Sequence, residues 1–142
     1  MNFTPAEIEY LKSQRLCRIA TVHPNGSIQN NPVVYWYNER ADTLDIGGRA
    51  LGTTQKFRNA QDNGKVSVVI DDIVSRTPWR VRGMEVRGVA EALFDQPIPP
   101  HLDFLSPELI RIHPRRIFTW GVDPDHEAMT RRTVAAPTSS PA

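Results

Sequence analysis

The sequence predicts a mainly β fold, a six- to seven-stranded antiparallel barrel with one or two short helices. Short stretches alternate between apolar and polar residues, and turn signals separate them at close spacing. Twelve of the 142 residues are proline, and each proline inside a helix costs about 3 kcal/mol. These observations disfavour a mainly helical protein, and the length is that of one domain with a single core.

The first predicted element is a short helix that lies over the barrel as a lid. Thr4 and Glu7 have the spacing of a capping box, and Pro5 stands at the first helical position. A second helix is predicted over residues 55–62, where the apolar residues have helical spacing and Asn63-Gly64 ends the pattern.

A β-hairpin follows the first helix, because Asn25-Gly26 is a strong signal for a tight turn. Its first strand begins at Leu16, and residues 27–37 return antiparallel to it. Pro32 interrupts the second strand. Since proline has no amide hydrogen to donate, we expect an edge position or a bulge there.

The later strands are predicted by alternation. Apolar residues occupy the even positions of residues 79–94, so this face should point into the barrel. From about residue 123 onward the apolar pattern is lost, which predicts a disordered tail and a folded domain over 1–122. The remaining strands are predicted over 43–47, 65–71, 108–113 and 116–122, the last two being separate strands or one strand broken at Pro114.

Charge and composition exclude several classes of protein. The chain has 17 Lys and Arg residues and 16 Asp and Glu residues. It therefore lacks the uniform positive charge that is typical of proteins that bind nucleic acids non-specifically. The apolar runs are too short to span a membrane, and the first residues lack the pattern of a secretory signal. With a single cysteine no internal disulfide forms, and we expect a cytoplasmic protein.

One segment has the features of a phosphate site. A predicted strand ends in Gly47-Gly48, a loop of small residues follows, and a helix then begins. The first turn of a helix offers unpaired amide hydrogens and a partial positive charge. An ordinary capped surface helix remains an equal alternative. The candidate binding residues of this segment are Thr53, Thr54, Gln55, Lys56, Arg58 and Asn59.

Arg80 and Arg82 form a second candidate group. They share the parity of the apolar Met84, so without a bulge they lie on the inward face near the mouth of the barrel. A buried arginine needs an anionic partner. A ligand phosphate or carboxylate would serve, and an ion pair with Asp71 or Asp72 is the favoured alternative.

Metal and hydrolytic sites are not predicted. The four histidines are dispersed, and no pair has the spacing of metal ligands. Cys17 stands among core residues, and the aromatic residues beside Arg115-Arg116 fit a packed strand better than a nucleic-acid surface. If the protein is an enzyme, a bound cofactor supplies its chemistry.

These stretches, in this order and spacing, resemble the split-barrel flavin-binding proteins of the pyridoxamine 5'-phosphate oxidase family. The similarity is greatest to the actinobacterial branch of oxidoreductases that depend on the deazaflavin coenzyme F-420. It covers about residues 3–122. The stretches that carry it are Arg18-Ile-Ala-Thr-Val22 with Asn25-Gly26, Asn31-Pro-Val-Val34, residues 45–59, and residues 79–91 with Ile112-His-Pro-Arg-Arg-Ile117 and Trp120-Gly121.

The resemblance implies a split β-barrel that forms a homodimer, with a cofactor at the subunit interface and a small-molecule substrate. It implies that Thr54, Lys56, Arg58 and Asn59 lie in the phosphate region of the cofactor. It also implies that a second group lies along or beside the ring system of the cofactor. That group consists of Asn31, Pro32, Val33, Ile46, Gly47 and Gly48.

The chain departs from the family pattern at two positions. Flavin mononucleotide (FMN) oxidases of this family carry an arginine where Asn31 stands and a lysine where Trp36 stands. The loss of both cations disfavours FMN bound in the oxidase manner and leaves FMN as the alternative cofactor. It suits a deazaflavin, whose acidic tail would reach Arg80 or Arg82.

The expected reaction is hydride transfer from the reduced deazaflavin to an unsaturated, conjugated or polycyclic substrate. The protein then needs only to bind, orient and desolvate the reactants. No catalytic residue is assigned, and Tyr35 or Tyr37 would be a proton donor only if it is not a packing residue. A binding protein that carries a flavin, deazaflavin or tetrapyrrole without turnover is the second hypothesis.

Overall fold

The computed structural model describes residues 1–126 and 128–137. Within them it confirms the predicted fold class, since the protein is mainly β with seven antiparallel strands and two α-helices. Two single 3-10 turns lie at Leu51–Thr53 and Pro100–Leu102. The elements are α1 (Pro5–Ser13), β1 (Leu16–Val22), β2 (Ile28–Asn38), β3 (Thr43–Gly47), α2 (Gln55–Asp62), β4 (Lys65–Arg76), β5 (Trp79–Leu93), β6 (Leu109–Trp120) and β7 (Thr130–Thr133).

The strands form one sheet in the order β3-β2-β1-β4-β5-β6-β7, and β3 also pairs with β6. This additional pairing closes the first six strands into a barrel, with Ile46 opposite Ile110 and Leu44 opposite Ile112. The later half of β6 pairs with β7. Because β6 pairs with β3 at one end and with β7 at the other, the barrel wall divides along this strand.

A buried ion pair lies at the closure. The Asp45 carboxylate is fully buried and accepts hydrogen bonds from Nε and Nη2 of Arg111, each at 3.1 Å. Asn38 Nδ2 and Thr43 Oγ1 donate further hydrogen bonds to it at 2.8 and 3.0 Å. The hydrogen bond with Asp45 raises the pKa of Arg111. A buried ion pair is tolerated when its charged groups are fully hydrogen-bonded, and the hydrogen bonds to Asp45 meet this condition.

The local signals for α1 are confirmed. Thr4 Oγ1 accepts from the Glu7 amide at 3.2 Å, and Glu7 Oε1 accepts from the Thr4 amide at 2.9 Å. Phe3 packs edge to face against Tyr37, with ring centroids 5.9 Å apart. Leu11 on the helix is also buried. The helix is thus fixed on the barrel as the predicted lid.

Pro32 takes the predicted edge position rather than a bulge. On one side it pairs in register with Arg18 of β1. On the other side the pairing of β2 with β3 begins only at Val34, so the edge of β2 at Pro32 has no neighbouring strand in the sheet. The missing amide hydrogen therefore removes no hydrogen bond of the ladder.

Two strands differ from their predicted bounds. β4 continues to Arg76 instead of ending near residue 71, so that β4 and β5 form a long hairpin. β6 is one strand through Pro114, because a bulge in β6 accommodates the proline: Arg87 pairs with Arg116 and Gly88 with Pro114, and Arg115 between them has no partner in β5. The inward face of β5 is confirmed at Met84, Val86 and Ala90, whereas Phe94 lies beyond the strand and is exposed.

The predicted disorder after residue 122 is wrong for β7. Arg132 forms an ion pair with Glu7, and its Nη2 donates to the Asn2 carbonyl at 2.7 Å. Val134, next to the strand, is buried. These contacts join the strand to α1, so a segment without apolar periodicity is ordered. The rest of the prediction, at residues 127 and 138–142, lies outside the described residues.

Neither α-helix of the described chain has the length and apolar character needed to cross a membrane.

We expect Gly88→Ala to lower the free energy of unfolding by about 2–3 kcal/mol. A Cβ at this position would lie 2.0 Å from the carbonyl oxygen of His113, so the β5–β6 ladder would have to move. Denaturant unfolding measures the change. The neighbouring and partly exposed Val89→Ala is the control and should cost less than about 1 kcal/mol. Equal costs for the two variants would show that the close approach is absent.

Candidate functional site

A cavity of about 290 Å³ opens where β2, the end of β3, the start of α2 and the loop between β5 and β6 meet. Its position follows from the fold, because β2 has a free edge at Pro32 and β3 ends at Gly47. The structure thereby brings together residues predicted from separate parts of the sequence. Those that line the cavity are Asn31, Pro32, Val33, Gly47, Gly48, Thr54 and Lys56.

Gly47 allows the wall of this cavity to close. A Cβ on Gly47 would lie 2.7 Å from Cδ1 of Leu105 and 3.1 Å from Cζ3 of Trp36. The absence of a side chain therefore lets Trp36 and Leu105 pack against the end of β3. A larger residue would push the loop that carries Leu105 away from the barrel.

Lys56 supplies a positive charge to the cavity. Its side chain is buried, and no carboxylate among the described residues forms an ion pair with it. Burial lowers the pKa of the Lys56 amine below its ordinary value. A buried cation without a counter-charge is costly, and an anionic ligand would remove that cost. This arrangement favours the phosphate interpretation of the segment.

Asn31 supplies an acceptor that has no partner. Its Oδ1 atom is buried and forms no hydrogen bond, and the same is true of Gln29 Oε1. The two residues lie two apart on β2 and therefore share a face. An unsatisfied buried acceptor costs about 1–3 kcal/mol. Asn31, which lines the cavity, thus has unused hydrogen-bonding capacity for a ligand. Gln29, which was not predicted from the sequence, is not among the residues that line it.

The start of α2 is built as predicted, but its hydroxyl is occupied. Thr54 is the N-cap, and its Oγ1 accepts from the Phe57 amide at 3.3 Å and donates to the Leu51 carbonyl at 2.7 Å. The amides of Gln55 and Lys56 have no acceptor within the described chain. A ligand anion would therefore be held by backbone amides and Lys56 rather than by the threonine hydroxyl.

Three predicted residues of this segment lie on the protein surface or at its rim. Arg58 is exposed and donates to the Thr53 carbonyl at 3.0 Å and to Gln55 Oε1 at 3.0 Å. Thr53 donates its hydroxyl to the Ala50 carbonyl. These contacts are those of an ordinary capped surface helix. The phosphate role of Arg58, Thr53 and the Gln55 side chain stays a prediction.

Two other predicted residues point away from the cavity. Asn59 is buried beneath α2, where its Nδ2 donates to Thr21 Oγ1 of β1 at 3.0 Å. Ile46 is fully buried in the barrel core. Helical spacing predicted that Asn59 lies at the site, and the family resemblance implied the same for Ile46. Both side chains instead lie on the faces of α2 and β3 that pack against the barrel. Their role in the structure is to fix α2 and β3 on the barrel.

Arg80 and Arg82 line a different cavity, of about 830 Å³, beside Trp79 and Trp120. Arg82 forms an ion pair with Asp72 at 2.8 Å, which confirms the alternative to a ligand contact. The inward position predicted for Arg80 is wrong, because this part of the hairpin extends past the barrel and Arg80 is exposed. Within one chain, these cations and Lys56 do not share a cavity.

The two tyrosines proposed as proton donors are packing residues. Tyr35 is buried and its hydroxyl donates to the Leu11 carbonyl at 2.6 Å. Tyr37 donates to Asp42 Oδ1 at 2.7 Å, and burial together with Asp42 raises the pKa of Tyr37 to about 12. Neither tyrosine lines the cavity that contains Asn31 and Lys56.

The loop between β5 and β6 contributes a wall that the sequence did not predict. Ser106 holds it, since its amide and its hydroxyl both donate to the Gly48 carbonyl at 2.9 Å. The Leu51 amide donates to Ser106 Oγ at 3.2 Å. Phe104 therefore lies at the mouth of the cavity, with the guanidinium carbon of Arg49 5.3 Å from its ring centroid.

Comparisons with known proteins agree with this fold. The family model described as pyridoxamine 5'-phosphate oxidase matches residues 3–121. A curated relative is the 5a,11a-dehydrotetracycline/5a,11a-dehydrooxytetracycline reductase of Streptomyces rimosus subsp. rimosus, which is 42% identical over 127 residues, 88% of this chain and 87% of the relative.

Solved structures share the fold at low identity. A conserved hypothetical protein from Mycobacterium tuberculosis has a TM-score of 0.65 at 19% identity, over 83% of this chain and 84% of that one. A FAD binding protein from Mycobacterium smegmatis has a TM-score of 0.56 at 24% identity, over 82% of this chain and 92% of that one. These structures establish the architecture alone.

We expect Lys56→Met to raise the free energy of unfolding of the ligand-free protein by about 1 kcal/mol at neutral pH. Folding lowers the pKa of this amine. At pH values below the folded pKa, the buried charge therefore destabilises the folded state of the wild type. This destabilisation is lost as the pH rises from the folded pKa to the pKa of the unfolded chain. Denaturant unfolding at neutral pH and at high pH measures both effects. The exposed Lys65→Met is the control, and a larger loss of stability in Lys56→Met than in Lys65→Met would contradict the account.

Proposed function

This chain belongs to the pyridoxamine 5'-phosphate oxidase family, and on that premise we propose an oxidoreductase that uses a deazaflavin, coenzyme F-420. Its substrate is an unsaturated small organic molecule. The observation that carries the proposal is the pairing, in one cavity, of the buried Lys56 amine without a counter-charge and the buried Asn31 oxygen without a partner. The 42% identical relative named as a dehydrotetracycline reductase supports the type of reaction.

The residues of the cavity fit such a cofactor. Lys56 and the amides at the start of α2 would hold a phosphate group. Asn31 and the backbone at Gly47-Gly48 would lie along the edge of a ring system, where Asn31 has a side-chain oxygen without a hydrogen-bond partner. When bound, the deazaflavin supplies hydride transfer at a ring carbon.

The part played by the chain itself is binding, orientation and exclusion of water. Leu51, Leu105 and Val33 give the cavity apolar walls, which strengthen polar contacts inside it. Apart from Lys56 and Arg49, the side chains that line it carry no titratable group. Reaction by hydride transfer is consistent with this lining, because no protein acid or base has to participate.

The choice of a deazaflavin over FMN rests on two positions. Asn31 and Trp36 stand where the FMN oxidases of the family carry cations. In the structure Trp36 packs on Gly47 instead of contributing charge to the cavity. FMN remains the alternative cofactor. A carrier without turnover is the alternative function, since two solved structures with the same fold, both from Mycobacterium smegmatis, are named as a FAD binding protein and a heme binding protein.

Titration of the purified protein with F-420 and with FMN tests this choice. We expect tighter binding of F-420, and Lys56→Gln should weaken the binding of both by about tenfold or more, because both carry a phosphate. Lys65→Gln is the control of equal charge change. Tighter binding of FMN would support the flavin alternative.

Turnover is measured with the reduced deazaflavin and a panel of quinones and dehydrotetracyclines. We expect the visible absorbance of the oxidised cofactor to appear at a rate that depends on the substrate. Tight binding of the cofactor without any change in absorbance across the panel would favour the carrier.

We also propose a homodimer with the cofactor at the subunit interface. The hairpin of β4 and β5 exposes Ile73, Val74, Trp79 and Val81, which are between 41% and 65% accessible in one chain. A cluster of this kind on a soluble surface is typical of an interface. Since Arg80 and Arg82 lie on the same hairpin, they would face the second chain in a dimer built on it.

Sedimentation at micromolar concentration tests the dimer. We expect Val81→Lys to shift the protein toward the monomer, because a lysine would be buried in an apolar interface. Val89→Lys is a matched control, since Val89 is 44% exposed against 41% for Val81 and lies in the barrel part of β5. A wild-type monomer, or equal masses for the two variants, would contradict this interface.

A cytoplasmic location is also part of the proposal. The single cysteine, Cys17, is buried in the barrel, and burial raises its pKa to about 12. A single cysteine cannot form a disulfide within the chain, which is the cysteine usage expected in a reducing compartment.

A further inference from the structure

Two side chains at the mouth of the cavity, Arg49 and Phe104, have no part in the proposed binding of the cofactor. Phe104 is 49% exposed, and Arg49 is exposed beside it. They come from segments far apart in the sequence, the loop after β3 and the loop before β6. Both nevertheless line the same cavity as Asn31 and Lys56.

The size of the cavity decides where a substrate can lie. Pockets that hold small ligands usually measure about 300–1,000 Å³, and this one measures about 290 Å³. It has room for one ring system but not for a cofactor and a polycyclic substrate together. Within one chain, a substrate that reacts with a cofactor held inside would therefore lie at the mouth, or rim, where Phe104 and Arg49 are the exposed side chains.

The rim is fixed rather than loose. Ser106 fastens the loop of Phe104 to the Gly48 carbonyl through two hydrogen bonds of 2.9 Å. The Phe104 ring in turn holds the Arg49 guanidinium by a cation–π contact of 5.3 Å. A guanidinium stacked on an aromatic ring keeps its N–H edge available for hydrogen bonds.

The charge of Arg49 is not used within the described part of the chain, where it forms no ion pair. Inside the cavity Lys56 is the cation suited to a phosphate. Arg49 is thus a second cation at the same cavity, placed at its mouth and next to an exposed aromatic ring.

We propose that Arg49 and Phe104 select the substrate, and that the substrate class is planar conjugated molecules with an ionised oxygen substituent, such as an enolate, phenolate, carboxylate or sulfonate. Phe104 supports the rings, and Arg49 donates hydrogen bonds to the anionic oxygen. The inference rests on the proposed function, because it assigns the rim to the substrate of that reaction.

Calorimetry on the protein loaded with oxidised cofactor tests the inference without turnover. The probes are a naphthoquinone sulfonate, which is anionic, and menadione, a neutral naphthoquinone. We expect Arg49→Gln to weaken binding of the sulfonate by about tenfold or more and to leave menadione within about twofold. Phe104→Leu should weaken both, since it removes the aromatic surface common to them.

Arg40→Gln is the matched control, because Arg40 is an exposed arginine in the turn between β2 and β3 and is not part of the site. It should bind both quinones as the wild type does. Failure of the wild type to bind the sulfonate, an Arg49→Gln variant indistinguishable from Arg40→Gln, or an equal loss of both quinones in Arg49→Gln would overturn the inference.

Steady-state measurements separate this inference from the proposed function. With reduced cofactor, Arg49→Gln should raise KM for the sulfonate by about tenfold or more, and by a much larger factor than KM for menadione. A wild type that reduces neither quinone, but still binds the sulfonate through Arg49, overturns the proposed function alone. A wild type that reduces both quinones while Arg49→Gln shows no selective loss overturns this inference alone.

Discussion

The pairing of β3 with β6 is the constraint on which the rest of the molecule depends. It closes the barrel over only three residue pairs, and its middle pair is the buried Asp45 and Arg111. Removing one partner of a buried ion pair costs about 3–5 kcal/mol. Here it would also separate the Gly47-Gly48 end of β3 from the loop that enters β6. Both walls of the cavity are therefore held in place by an ion pair that takes no part in binding.

Local signals allowed much of the fold to be predicted. The capping box at Thr4, the turn at Asn25-Gly26 and the alternation along β5 each depend on neighbouring residues, and each is present in the structure. The parts of the fold that were not predicted depend on contacts between residues far apart in the sequence. β7 is a short polar strand that is ordered by the ion pair of Arg132 with Glu7, and no periodicity in its own sequence indicates that pairing.

The candidate site was also predicted only in part, because some of its residues stand in segments with local signals and others are neighbours only in the folded chain. Asn31 and Lys56 were found because each stands in a recognisable segment, and the fold brings them to one cavity. The alternation of apolar and polar residues gave a wrong position for Arg80. Both faces of the hairpin are exposed where it extends beyond the barrel, so alternation does not predict which side chains are buried there. Arg49 and Phe104 lie in irregular segments, and only the closed barrel shows that they are neighbours.

The attachment of the β5–β6 loop through Ser106 has a consequence for how relatives of this protein diverge. Ser106 bonds to the backbone of Gly48 and Leu51 and not to a side chain. Backbone groups are the same whatever residue stands there, so the loop stays docked while its other side chains vary. Selection can thus exchange the residues of the mouth independently of the barrel and the cofactor cradle. Such modularity would let one scaffold acquire new specificities by changes confined to a surface loop.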